Sequence, residues 1–126
     1  MPVPRDFADY CCELLSSLGR VQARRMFGGW GLSVEGLTVA IVADLGNGDT
    51  LWLKADANSL GFFEAAGCKR FSYPMRRGGT TVVQSMNYYS APTVAMDDAH
   101  AMAPWARHAL EAAVAARAPR PTRARR

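Results

Sequence analysis

The stretch from Leu37 to Asp44 is the part of the sequence that most constrains the fold. Its apolar and β-branched residues have the composition of a buried strand. Turn residues border it on both sides: Glu35-Gly36 precedes it, and Gly46-Asn47-Gly48-Asp49 follows it before a second apolar run, Leu51 to Lys54. Because short turns of this kind join antiparallel neighbours, the centre of the chain is predicted to be an antiparallel meander.

The residues ahead of this meander predict one helix and one or two further strands. Apolar residues recur at helical spacing from Pro4 to Leu18, and Val21 to Phe27 has the composition of a strand. Glycines interrupt that strand at Gly28 to Gly31, and the alternation of large apolar residues resumes from Leu32 to Val34.

The second half of the chain predicts two more strands set between two helices. In order, the expected features are a short helix ending at Gly67, a strand from Phe71 to Tyr73, a basic hairpin tip at Arg76 to Gly79 and a strand from Thr81 to Tyr89. Pro74 is expected to end the first of these strands. A long last helix is expected to be capped by Asp97 or Asp98, with Pro104 in its first turn.

This order of elements predicts an α+β fold. Helix, three or four strands, helix, two strands, helix is the pattern of a two-layer α/β sandwich, in which helices gather against a mainly antiparallel sheet. The length of 126 residues and a hydrophobic content of 49% suit one domain with one core. We place that domain at residues 1–116 and a disordered basic tail at 117–126.

The sequence predicts a cytoplasmic protein with no membrane partner. Met1 to Asp6 contains prolines and charges where a secretory signal would need an uninterrupted apolar run. Elsewhere, the apolar stretches fall short of the ~20 residues that cross a bilayer.

Neither the cysteines nor the histidines predict a chemical site. Cys11 and Cys12 are adjacent on a predicted helix, where consecutive side chains diverge, and Cys68 has no further ligand at metal-site spacing. Reduced, buried or half-buried thiols are favoured over a redox or metal role. His100 and His108 lie on the last helix without a serine or carboxylate pattern around them. We therefore predict no catalytic residue, no cofactor and no metal.

The net charge of +4 comes mainly from the C-terminal end of the chain. Five of the fifteen basic residues are Arg117, Arg120, Arg123, Arg125 and Arg126. The rest of the chain has ten basic and eleven acidic residues, so its charge is close to neutral. An arginine-rich arm with two prolines and little to bury can hold nucleic-acid phosphates without sequence preference. The alternative, a solvated end without a ligand, is favoured because such ends are common.

The glycines at Gly28, Gly29 and Gly31 admit a functional and a structural interpretation. Glycine-rich loops let backbone amides approach a phosphate, but this run matches neither the P-loop nor the dinucleotide fingerprint. Between two strand-like segments, glycines more often form a bulge or permit close backbone approach, so the structural interpretation is favoured.

Basic pairs and aromatic residues supply the candidates for a nucleic-acid surface. Arg24-Arg25, Lys69-Arg70 and Arg76-Arg77 are the basic pairs of the body, and Trp30, Tyr73, Tyr88 and Tyr89 could stack on bases. The candidate contacts are Arg24, Arg76, Arg77 and the tail arginines Arg120, Arg123, Arg125 and Arg126. The alternative is that the aromatics belong to the core and the arginines are solvated, and the near-neutral body favours it.

One motif resembles a known family. The run Arg25-Met26-Phe27-Gly28-Gly29-Trp30-Gly31-Leu32 is very similar to the signature of the N-terminal domain of the TfoX/Sxy competence regulators. Three further stretches match the family in the same order: Leu51 to Asp56, Phe63 to Gly67, and Met86 to Pro92, which includes Tyr88 and Tyr89. The resemblance covers Phe7 to Leu110. The resemblance implies a fold like that of secretion chaperones and a role in natural competence, where founding members act with a cyclic-AMP receptor protein at promoters. It does not imply catalysis.

Three functions follow from these observations. The first is a regulatory module that binds a protein partner, such as a transcription factor, or a second copy of itself to form a homodimer; exposed Trp30 or Trp52 on one patch would support it. The second is a nucleic-acid-binding protein that uses the basic turns and the arginine tail. The third, an enzyme or small-ligand protein, would need a pocket with convergent polar groups, and nothing in the sequence predicts one.

Overall fold

The computed structural model describes residues 3–26, 28–46 and 48–117. The helices are α1 (Arg5–Leu14), α2 (Leu60–Ala65) and α3 (Ala99–Arg117), with single 3-10 turns at Ser16–Leu18 and Thr93–Met96. The strands are β1 (Val21–Met26), β2 (Gly29–Val34), β3 (Leu37–Asp44), β4 (Asp49–Lys54), β5 (Arg70–Arg77) and β6 (Thr80–Ser90).

The strands form one antiparallel sheet in the order β1-β2-β3-β4-β6-β5. The predicted α+β class and two-layer architecture are confirmed, as is the meander around β3, whose bounds match the prediction. Glu35 and Gly36 both have positive φ, so they form the kind of two-residue turn that matches the twist of the strands in a hairpin. β6 pairs with β4 through Tyr88, Tyr89 and Ser90, and with β5 at Tyr89 and from Thr80 to Ser85.

The helices pack against one face of the sheet and enclose the main core. Leu14 of α1, Phe63 of α2 and Met102 of α3 are each no more than 2% exposed, as are Leu32 of β2 and Leu53 of β4. Burial of side chains of this size stabilises the fold by roughly 1.5–3 kcal/mol each.

A bulge in β3 adds to this core. Leu32 pairs with Ala40 whereas Ser33 pairs with Thr38, so Val39 is an extra residue in β3. Val39 and Ala40 are consecutive, yet both are fully buried in the main core. The extra residue breaks the alternation of the strand and turns two neighbours to the same side.

Both prolines within elements depart from the prediction. β5 continues through Pro74, so the expectation that Pro74 ends the strand is wrong; β5 is an edge strand, where a missing N–H need not cost a ladder hydrogen bond. Pro104 lies inside α3, beyond its first turn. Its side chain is exposed, so the His100 carbonyl that loses its helical donor lies on the solvent side. Of the two predicted caps, Asp97 and Asp98, it is Asp98 that caps α3, because its carboxylate accepts a hydrogen bond from the Ala101 amide at 2.8 Å.

Several element boundaries are also corrected. α1 ends at Leu14, and the predicted last turn to Leu18 is a separate 3-10 turn. β2 begins at Gly29, so the glycine interruption is shorter than predicted. Arg76 and Arg77 are the last residues of β5, and the hairpin tip is Gly78-Gly79.

The described residues extend to the end of α3, which includes Arg117. The rest of the predicted tail, residues 118–126, lies outside them. Within the described part of the chain, no helix has both the length and the apolar character needed to cross a membrane.

A candidate binding groove on the open face of the sheet

The face of the sheet turned away from the helices, here called the open face, carries its own buried cluster. Trp52 lies between Leu51 and Leu53 on β4, and because side chains alternate along a strand it points to the open face. Trp52 is 3% exposed, and its ring meets the Phe71 ring edge-on with centroids 5.1 Å apart. Ile41 and Tyr88 are the other buried members. The aromatic side chains of the open face therefore bury one another.

Beside this cluster lies a concave space of about 870 Å³, here called the open-face groove. One wall comes from the ends of β1 to β3 and the other from the β5–β6 hairpin; the apolar lining residues are Met26, Ile41, Ala43, Leu45, Phe71, Tyr73, Met75 and Met86. Asp44 adds a carboxylate, which accepts the backbone amides of Gly46 and Gly48 at 2.8 and 3.0 Å. These two hydrogen bonds lower the pKa of Asp44. The lining is thus apolar apart from a carboxylate already held by the backbone.

Methionines make the walls of the groove adaptable. Met26 lies on one wall, and Met75 and Met86 lie on the other. A methionine side chain has several rotatable bonds and a polarizable sulfur, so it fits apolar surfaces of different shape. Such a surface suits the docking of another chain.

The glycines of the Arg25–Leu32 motif shape the floor of this groove. A side chain on Gly29 would overlap the backbone carbonyl of Val42 on β3. A Cβ on Gly31 would lie 2.6 Å from the Met26 sulfur, so the Met26 side chain crosses the space above Gly31. Gly28 turns the chain between β1 and β2 with a φ of 77°. Gly29 therefore allows β2 and β3 to approach closely, and Gly31 allows the Met26 side chain to pack over β2.

Trp30, the aromatic residue of the same motif, faces the helices. It is 3% exposed, and its indole N–H donates to the Val3 carbonyl at 3.0 Å. The guanidinium groups of Arg25 and Arg5 lie 4.9 and 5.3 Å from the centre of its ring. Arg25 therefore packs on Trp30 through a cation–π contact.

Tyr88 and Tyr89 point to opposite faces. Tyr88 belongs to the open-face cluster, with the Lys54 ammonium 5.0 Å from its ring centre and 3.5 Å from its hydroxyl. Tyr89 stacks on Phe63 in the main core, and its hydroxyl donates to Glu64 at 2.9 Å. Burial and then the bond to Glu64 raise the pKa of Tyr89.

One protein family matches the part of the chain that contains the Arg25–Leu32 motif, the strands of the sheet and the groove. The model of the family described as the TfoX N-terminal domain matches residues 13–113. The chain belongs to this family. No curated protein matches the chain significantly. The range matched to the TfoX N-terminal domain contains all six strands and every residue named above as lining the open-face groove.

In this TfoX N-terminal domain the predicted basic contacts are spread over the sheet. Arg24 lies on edge strand β1, and Arg76 and Arg77 lie on the opposite edge strand, β5. Arg76 donates to the Gly79 carbonyl at 3.3 Å, whereas Arg77 approaches Gln84 at 3.5 Å. The other predicted positions, Phe27, Arg120, Arg123, Arg125 and Arg126, lie outside the described residues.

The sequence did not predict the open-face groove. A signal was present, because Phe71, Tyr73 and Met75 alternate along β5 and Met86 and Tyr88 alternate along β6. This apolar alternation would have indicated a second buried surface.

Metal and thiol chemistry have little support in the described residues. They contain no group of three or more His, Cys, Asp or Glu that could hold a metal ion. Burial raises the pKa of Cys11 to about 12 and also raises the pKa values of Cys12 and Cys68. These thiols are therefore protonated, and poor nucleophiles, near neutral pH.

Proposed function

We propose that this TfoX N-terminal domain is a non-enzymatic regulatory module that binds a protein partner in its open-face groove and thereby takes part in transcriptional control. The observation that carries the proposal is the groove itself, an apolar concavity of about 870 Å³ on the sheet face opposite the helices. Concave apolar surfaces of this size are typical binding sites.

The composition of the walls favours a protein over a small polar ligand. Met75 and Met86 are partly exposed on the β5–β6 hairpin, beside the buried rings of Phe71 and Trp52. Trp52 and Phe71 are themselves buried, and not exposed as the protein-binding hypothesis expected of Trp52, so the surface that a partner meets consists mainly of adaptable methionine side chains. A small-molecule site would instead need polar groups aimed at the ligand, and one oxygen of the Asp44 carboxylate is already held by the amides of Gly46 and Gly48.

The regulatory part of the proposal rests on the family. The founding members of the TfoX/Sxy family act at promoters together with a cyclic-AMP receptor protein, and they supply a precedent for a domain that works through a partner. A transcription factor is therefore the partner that we favour.

A matched pair of substitutions on β6 tests the proposal. Met86 lines the groove, whereas Val83, which is 74% exposed, lies on the other face of the same hairpin. RNA abundance would be compared between the source cells carrying Met86→Glu, Val83→Glu, the unaltered gene and a deletion, with protein levels checked by immunoblot. We expect Met86→Glu to reproduce the changes caused by deletion and Val83→Glu to resemble the unaltered gene. A Met86→Glu strain with the unaltered RNA pattern would contradict the proposal.

A further inference from the structure

Three cationic side chains lie on the open face, outside the lining of the groove. Arg24 lies on the open face of β1, because Arg25 packs on Trp30 on the helix side and Met26 lines the groove. Arg77 follows the wall residue Met75 by two positions, and its guanidinium lies 3.4 Å from the Met75 sulfur. Lys54 lies over Tyr88, whose ring is 6.4 Å from that of the wall residue Phe71.

These cations are not neutralised by neighbouring acids. Among the described residues the only ion pair joins Arg5 to Asp9, at 3.8 Å. Arg77 contacts a thioether and the Gln84 amide oxygen, and Lys54 contacts an aromatic ring and its hydroxyl. Asp44, which lines the groove, keeps its negative charge while one of its carboxylate oxygens accepts two backbone amides, and it forms no ion pair with these cations. The groove therefore combines apolar walls with cations that have unused capacity to bind carboxylates.

The charge around the groove disfavours a second copy of this chain as the occupant. A two-fold dimer brings the same surface of each copy together, so the positive charge of Arg24, Lys54 and Arg77 would be doubled at the interface. Like charges brought together across an interface oppose association. Addition of a strand to the β5 edge is also disfavoured, because Pro74 lies in the middle of that edge and has no N–H to donate.

From this combination we infer that the open-face groove takes a partner segment whose apolar side chains are flanked by aspartate or glutamate. The apolar side chains lie against Met26, Phe71, Met75 and Met86, and the flanking carboxylates pair with Arg24, Arg77 and Lys54. This inference rests on the proposed function, because it specifies the chemistry of the protein segment that the groove binds.

A selection from peptides of random sequence tests the inference. A phage-displayed library would be selected on the intact chain after depletion on the Met86→Glu variant, with a parallel depletion on Val83→Glu as the matched control. We expect depletion on Val83→Glu to remove the binders that depletion on Met86→Glu leaves behind. We further expect those binders to be enriched in apolar residues flanked by Asp or Glu.

The two proposals fail in different ways in this experiment. Groove-dependent binders with neutral or basic flanks would overturn the acidic inference and leave the proposed function standing. If no peptide distinguishes Met86→Glu from Val83→Glu, both proposals are wrong.

Charge reversal on β5 then tests the pairing directly. Arg77 lies on the groove face and its neighbour Arg76 on the other face, and both are exposed. With the best selected peptide, Arg77→Glu is expected to weaken binding by roughly five- to tenfold at low salt, and Arg76→Glu by less than about twofold. Replacing the acidic residues of the peptide by their amides should remove the difference. Equal weakening by both variants would mean a diffuse charge effect, as expected for nucleic acid, and would overturn the inference.

Discussion

The two faces of the sheet are built from alternate residues of the same strands, yet they are buried in different ways. On β4, Leu51 and Leu53 lie under the helices, whereas Trp52 between them is covered by Phe71 and its neighbours on the open face. The helix side has a continuous core drawn from all three helices. The open face has a small aromatic cluster with a groove beside it. The helices cover the main core, while burial by neighbouring side chains of the sheet leaves a concave surface of about 870 Å³ on the open face.

The largest effects on stability are expected at two adjacent residues of β4. Leu53→Ala should lower the free energy of unfolding by about 2–5 kcal/mol because it leaves a cavity in the main core. Trp52→Ala should cost a similar amount, about 3–5 kcal/mol, although no helix residue belongs to its cluster. Urea unfolding of both variants measures this. A cost below about 1 kcal/mol for Trp52→Ala would mean that the open-face cluster is not packed like a core.

Alkaline pH should lower the free energy of unfolding through ionisation of Cys11, which is buried in the main core on the helix side. The pKa of this buried thiol is raised from 9.0 to about 12, so the unfolded chain ionises at lower pH than the folded one. Its contribution is full below about pH 9 and is lost as the pH rises towards about 12, and it amounts to roughly 2–4 kcal/mol. Unfolding measured along this range should show a steeper loss for the unaltered chain than for Cys11→Ala. Cys12→Ala, at a half-buried position, is the control and should keep most of the steep loss.

Alanine substitutions at the motif glycines should cost different amounts of stability, depending on whether the new Cβ meets backbone or side-chain atoms. Gly29→Ala should destabilise the chain by about 1–3 kcal/mol, because the Val42 carbonyl that its Cβ would meet belongs to the backbone of β3. Gly31→Ala should cost less, since the end of the Met26 side chain can move. Gly61→Ala in α2 meets open space and should stabilise by up to about 1 kcal/mol. Thermal unfolding of the three variants gives the order, and a Gly29→Ala chain as stable as the unaltered one would contradict it.

The smallest effect on stability is expected on the hairpin. Met86 is 36% exposed and Val83 is 74% exposed, so glutamate at either position should change the free energy of unfolding by less than about 1 kcal/mol. Chemical denaturation checks this. A much larger loss for Met86→Glu would mean that this wall of the groove supports the fold, and binding tests would then use Met75→Gln instead.

The sequence predicted local structure well and the groove not at all. The bounds of β3, the turn at Glu35-Gly36 and the cap at Asp98 depend on nearby residues, so composition and turn chemistry were sufficient. Pro74 was misread because its effect depends on whether β5 is an edge strand, which is a property of the whole sheet. The groove depends on the pairing of β6 with β4, which brings Phe71 and Met86 beside Ile41 and Ala43. Pairing between strands distant in sequence is not written in either strand alone.

Photocrosslinking in the source cells tests most directly the claim that the groove holds a protein partner. A benzophenone amino acid would replace Met86 in one version of the chain and Val83 in another, and covalent adducts would be identified by mass spectrometry. We expect an adduct with a distinct protein from position 86 that is weak or missing from position 83. Equal adducts from both positions, or none from position 86, would contradict it.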